Sequence, residues 1–150
     1  ARLGAGRGLQ RVSTEATVRQ YEIWWATRPP PVGRRPVLLL SRDSAYAVLN
    51  KVIVAEVTST LRDIPVEVRL GQREGLARRS VANLDNVHVV ARADLVSRIG
   101  ALARSREGEV KRALGYVLDW PELKVRSVAG LFAEAIKRIH EGESVSSLFD

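Results

Sequence analysis

The side chains able to do chemistry in this 150-residue chain are few in kind: it has no Cys, 24 Lys and Arg, 17 Asp and Glu, and two His. The lack of Cys removes disulfides, thiolate metal sites and a thiol nucleophile. His88 and His140 are too few and too far apart for paired-imidazole acid and base work, or for a His-rich metal centre. The GxSxG elbow, the Walker phosphate loop and HExxH are all missing. A reaction would therefore have to run on Arg, Thr, Ser, Asp and Glu, placed at strand ends and in the loops between strands. The formal net charge of +7 suggests what they would act on, because a basic protein is drawn to polyanions and releases their counterions. A compositionally biased genome is the competing source of so many arginines. The surplus is uneven: residues 1–19 carry +3, residues 121–150 carry −1 and the middle carries +5.

Such residues need a scaffold, and 45% hydrophobic residues are enough to bury a core in one domain, or two at most. From Tyr21 onward, YEIWWA, PVLLLS, KVIVAEVTST, PVEVRL and SVANLDNVHVV are short β-branched or aromatic runs separated by Pro, Gly, Asp and Asn, which predicts strands. PVEVRL alternates, as a half-solvated antiparallel strand does. VLLL and VIVAEV are apolar on both faces and should be central. The connections are mostly too short for crossover helices, so the strands should form antiparallel meanders curling into a small barrel.

Helices come late. Ser105 is placed to cap a segment in which Val110, Ala113, Leu114, Val117 and Leu118 recur at helical spacing, with Pro121 as its stop. A helical turn is expected around Ala93 to Val96, and Arg98 to Leu102 reads equally as strand or helix. Residues 122–141 form an amphipathic stripe through Val125, Val128, Phe132, Ile136 and Ile139. It would pack on the barrel or a second copy, dock a partner protein, or fold back over a groove. The expected organisation is a flexible basic tail at 1–18, a body at 19–120 and an amphipathic helical extension at 121–150. No apolar run approaches the ~20 residues that cross a bilayer, and no apolar segment of signal-peptide length follows Arg2, Arg7 and Arg11. No membrane association and a cytoplasmic location are expected.

The ordered set YEIWWATRPPPVGRRPVLLLSRD, VIVAEVTST, SVANLDNVHVV, and RIGALA leading to a helix ending ALGYVLDW resembles the MazF/PemK toxin endoribonucleases across about residues 19–120. The resemblance implies a mainly β fold with C-terminal α: an SH3-like antiparallel β-barrel of the CcdB–MazF type plus late helices. It also implies a homodimer, a cognate antitoxin, no cofactor or metal, and cleavage of single-stranded RNA at a short recognition sequence. In such enzymes the ribose 2′-hydroxyl attacks the adjacent phosphorus, leaving a 2′,3′-cyclic phosphate and a 5′-hydroxyl. The family's catalytic arginine, directly before Pro in R-P-V, falls on Arg35, and its strand-end threonine falls on Thr58.

Elementary chemistry agrees with both roles. Cyclisation concentrates negative charge on the non-bridging phosphate oxygens, and a guanidinium offers them a fixed fork of donors. The Thr58 hydroxyl adds another donor to the same oxygens. An arginine is a poor general base because its pKa exceeds ~12, so Arg35 is read as electrostatic stabiliser and donor to the leaving 5′-oxygen. Arg34, Arg42 and Arg62 suit phosphate contacts that position RNA without reading it, and Ser59 and Thr60 can bond phosphate or base edges. Along Asn83 to His88, alternation would put Asn83 and Asp85 on one face and Asn86 and His88 on the other. Asn83, Asp85 and Asn86 suit base edges, or else Asp85 and Asn86 cap a turn. The loop between the first two strands lacks the acidic residue common in the family. Glu56, on the same strand face as Thr58, either replaces that base or pairs with a neighbouring Arg. One of Trp24 and Trp25 should enter the core, leaving the other to stack on a base or a partner. The rivals are a gyrase-poisoning toxin of the CcdB type, which works through an apolar aromatic C-terminal end, and a non-catalytic RNA-binding module.

Overall fold

The computed structural model describes residues 18–122. Six strands form one antiparallel sheet: β1 (Glu22–Thr27), β2 (Arg34–Leu39), β3 (Lys51–Thr58), β4 (Glu67–Leu70), β5 (Ser80–Ala91) and β6 (Leu95–Ala101), in the order β4-β5-β3-β2-β1-β6. Helices α1 (Ala45–Val48) and α2 (Glu107–Val117) accompany them. β2 and β3 are flanked on both sides, which explains their unbroken apolar runs: alternate residues feed two different cores. Ile23, Leu38, Ala55, Val57, Val68 and Leu84 pack together under Val110 and Ala113 of α2. Val37, Leu39, Val52, Val54 and Val90 pack on the other face with Tyr46 of α1. β4 is the half-solvated strand, burying Val68 and Leu70 while Arg69 is exposed.

The expected barrel is half closed. No ladder joins β4 to β6; instead the 3₁₀ turn Gln72–Glu74 that follows β4 lies against β6. Two glycines make this seam. A Cβ on Gly100 would collide with the Glu74 carbonyl oxygen, and one on Gly75, at φ +90°, would collide with the Ile99 carbonyl oxygen. Only glycine allows both the backbone approach and the left-handed turn.

At the start of the body Tyr21 is itself left-handed, at φ 68°. It is held by its amide donating to the Leu39 carbonyl and by the Leu102 amide donating to its own carbonyl, each at 2.8 Å. Its hydroxyl donates to Glu107 at 2.9 Å, which ties the chain just before β1 to α2. Burial, together with that carboxylate, pushes the phenol pKa above its ordinary value.

Several local expectations need correction. α2 begins at Glu107 after a 3₁₀ turn, with Arg106 at the cap position and no side-chain cap bond, so Ser105 is not its cap. The helix ends because Asp119 turns left-handed at φ 50° and the Trp120 amide reaches the Gly115 carbonyl, before Pro121 can act. The turn expected around Ala93 is the 3₁₀ segment Arg92–Asp94, and the ambiguous stretch from Arg98 is strand. α1 was not foreseen. The alternation assumed through Asn83–His88 fails because Ala55 pairs with Val87 while the next residue, Glu56, pairs with Asn83. Residues 84–86 therefore stand outside that ladder as a bulge, with Leu84 buried and the Leu84 amide bonded to the Val66 carbonyl. The stripe at 122–141 and the tail through residue 17 fall outside the described residues, apart from Glu122. Among the described residues no helix is long and apolar enough to cross a membrane.

Candidate functional site

The site follows from the pairing of β2 with β3. Val37 pairs with Glu56, Leu38 with Ala55 and Leu39 with Val54. Continuing that register two residues places Arg35 opposite Thr58, just where the ladder ends. Both line one cleft of about 620 Å³. Its floor and walls come from Trp25 of β1, Arg34 to Pro36 of β2, Val57 and Thr58 at the end of β3 with Ser59 after it, the chain from Gly75 to Arg78, and Arg98 and Ile99 of β6. Four guanidiniums (Arg34, Arg35, Arg78 and Arg98) line it, and among the described residues no carboxylate does. Such a lining is matched to an anion. The seam glycines set the spacing of two of its walls.

Each cation is held differently. Arg34 stacks on the Trp25 ring, 4.4 Å from its centroid, so Trp25 is the cleft tryptophan. Trp24 packs against the second core and donates its indole N–H to Glu22 at 3.1 Å. Arg98 donates to the other Glu22 oxygen at 2.8 Å. Arg35 is held through Glu56, whose Oε1 lies 3.4 Å from the Arg35 Nε.

Glu56 is only 8% exposed, and its Oε2 accepts from Arg28 Nη1 at 2.8 Å and lies 2.7 Å from His88 Nε2, which is itself 2.9 Å from Arg28 Nη1. Glu56 thus pairs with two arginines and a histidine drawn from three different strands or loops. Glu56→Gln keeps the shape and removes the charge, leaving two guanidiniums short of their anion. Its cost should be about 1–3 kcal/mol, read as a lower denaturant midpoint at unchanged m-value. An unshifted midpoint would mean that the cluster holds nothing.

Thr58 has the polarity its expected role requires. Its Oγ1 accepts the Thr60 amide at 3.2 Å, so its own O–H is left to donate. Of the residues singled out in the sequence, Arg34, Arg35, Thr58 and Ser59 meet in the cleft, and Glu56 supports it from behind. Thr60 contributes only that amide. Arg42 and Arg62 are exposed and lie outside the cleft lining, and the Arg62 amide is bonded to Glu67. Asn83 accepts the Asp85 amide at 3.0 Å, and Asp85 and Asn86 stand exposed on the β5 bulge, away from the lining. Arg28, Arg78 and Arg98 were missed. Arg28 and Arg98 carry no local signal, whereas the Arg78-Arg79-Ser80 step at the mouth of a predicted strand was a visible one.

Among the described residues no three His, Asp or Glu side chains cluster as metal ligands would.

Residues 19–118 match the sequence profile of the family described as PemK-like, MazF-like toxin of type II toxin-antitoxin system. The probable endoribonuclease MazF5 of Mycobacterium tuberculosis is 41% identical over 99 residues, spanning 65% of this chain and 90% of that protein. Among solved structures, Mycobacterium tuberculosis toxin MazF-mt6 superposes with a TM-score of 0.61 at 34% identity, covering 65% of this chain and 96% of that one. A MazE-MazF crystal structure from Deinococcus radiodurans gives a TM-score of 0.59 at 25% identity, covering 68% and 96%.

Proposed function

The chain belongs to the PemK-like, MazF-like toxins of type II toxin–antitoxin systems, and on that premise we propose that its arginine cleft cuts single-stranded RNA at a short recognition sequence by metal-independent transesterification. It is a MazF-like endoribonuclease. The observation that carries the mechanism is the register placing Arg35 opposite Thr58 in a cleft lined by guanidiniums and, among the described residues, by no carboxylate.

The 2′-oxygen of the nucleotide before the cut attacks phosphorus and passes its proton to solvent water as the O2′–P bond forms. The P–O5′ bond breaks, and the leaving 5′-oxygen takes up a proton. Charge peaks on the two non-bridging oxygens, where Arg35 supplies a planar pair of donors and Thr58 a third. Arg35 also stands as donor to the leaving oxygen. The Glu56 carboxylate is occupied by Arg28, Arg35 and His88, so its role in this reading is to keep the Arg35 guanidinium turned toward the phosphate. Trp25, under Arg34, gives a base a ring to stack on.

Cleavage of mixed RNA by the full chain should persist in EDTA and leave 5′-hydroxyl and 2′,3′-cyclic phosphate ends. A strict metal requirement, or 5′-phosphate ends, would overturn the mechanism. Thr58→Val keeps the shape and removes the donor, and should lower kcat by about 10- to 100-fold with KM little changed; a change confined to KM would assign Thr58 to binding alone. Gyrase-dependent DNA breakage in place of RNA cleavage would favour the rival toxin class.

The Deinococcus radiodurans structure pairs a toxin of this fold with its MazE partner. By that likeness this chain is read as a homodimer silenced by a cognate antitoxin. Within it, residues 19–120 are read as the toxin body.

A further inference from the structure

A second cleft of about 330 Å³ adjoins the first. Ser80, itself buried, lines both. Arg78 lines the first cleft and the next residue, Arg79, lines the second. The segment continuing from the paired strand behaves alike: Thr58, which pairs with Val81, and Ser59 border the first cleft, and Leu61, 44% exposed, borders the second. Two short chain segments, 58–61 and 78–80, therefore run past both clefts and make them one continuous groove.

The arginines of the second cleft are not equivalent. Arg69 is paired with Asp63 at 2.7 Å, and Arg106 is spent on Glu74 and Glu109. Arg79 makes no hydrogen bond or ion pair with any described residue, and it is exposed. One uncommitted guanidinium beside one exposed leucine is the minimal equipment for a nucleotide: a donor fork for phosphate and an apolar surface for a base.

We propose that this second cleft is a subsite for the nucleotide neighbouring the scissile phosphate, with Arg79 on its phosphate and Leu61 against its base. The proposal rests on the RNA-cleaving reading and adds to it a direction in which the strand leaves the reaction centre. RNA that occupies only the first cleft gains nothing from Arg79; RNA long enough to continue past Ser80 does.

The test uses the full chain and 2′-O-methyl RNA of mixed sequence, whose blocked nucleophile allows binding without cleavage. Fluorescence anisotropy is measured across a salt series on dinucleotides without terminal phosphates, whose single phosphate is the scissile one, and on decanucleotides. Arg79→Ala should weaken decanucleotide binding about 10-fold and dinucleotide binding less than about two-fold. The log–log salt slope for the decanucleotide should become shallower by about 0.7, the value for one lost phosphate contact on a single strand. Lys51→Ala removes the same charge from the opposite end of β3 and should change neither affinity. An equal loss at both lengths, no loss at either, or an equal loss in Lys51→Ala would overturn the subsite. A wild-type protein that binds neither RNA would overturn the RNA reading beneath it as well. Matching thermal melts of variant and wild type confirm that Arg79→Ala reports on binding and not on folding.

Discussion

Arg35→Ala should lower the kcat for RNA cleavage by about 10²–10³-fold, the size expected when one preorganised donor to a developing oxyanion is removed. The fold should survive the change. The Arg35 side chain is 45% exposed, and Glu56 keeps two shorter contacts, to Arg28 at 2.8 Å and His88 at 2.7 Å. The loss should therefore appear in single-turnover rate with little change in melting temperature. KM should rise only modestly, because Arg34, Arg78 and Arg98 still line the cleft. Arg35→Lys separates charge from geometry: an ammonium restores the positive point but not the two-pronged donor, so it should recover only part of the rate. Cleavage within two-fold of wild type in Arg35→Ala would remove the assignment, whatever the affinity.

Gly100→Ala should be among the most damaging single-methyl additions in the body. The added carbon has no free volume, and what it meets is the Glu74 backbone carbonyl and not a yielding side chain. Either the 3₁₀ turn or β6 must move. Overpacking of this kind costs about 3 kcal/mol or slightly more, which for a body of roughly 100 residues is a melting-temperature loss on the order of 15 °C. Gly75→Ala should act in the same direction, since it adds a left-handed strain to a similar collision. Activity should fall too, because the chain after Gly75 and the end of β6 are walls of the larger cleft. A melting temperature within a few degrees of wild type would show that the seam yields elastically.

Much of this architecture could be read beforehand, and for identifiable reasons. β1 to β5 announced themselves because each buries at least one face and is bounded by turn residues. β6 did not, because Leu95–Ala101 mixes exposed and half-buried positions without a clean period and contains Gly100, whose purpose is a contact with a turn more than twenty residues earlier. α1 is four residues long and exists to bring Tyr46 onto the second core, too short to leave a pattern. The bulge in β5 was illegible because alternation carries no record of the partner strand's register.

The site divides along the same line. Physics alone left Arg35 as an arginine before a proline, and family resemblance raised it above the others. Its placement opposite Thr58 is a fact of pairing, available only once β2 is known to lie beside β3. Arg28 and His88 gather on Glu56 from distant parts of the chain, so no local spacing could have shown them.

The way the sheet ends has a bearing on whether its edges can recruit further strands. Its longest strand, the twelve-residue β5, lies in the interior between β3 and β4. One rim is the four-residue β4. The other, β6, has its far end occupied by the turn at Gly75 and carries the charged Arg98 on the remainder. An extended foreign chain seeking unpaired backbone finds little length on which to add, which is how natural sheets avoid stacking edge to edge into fibrils.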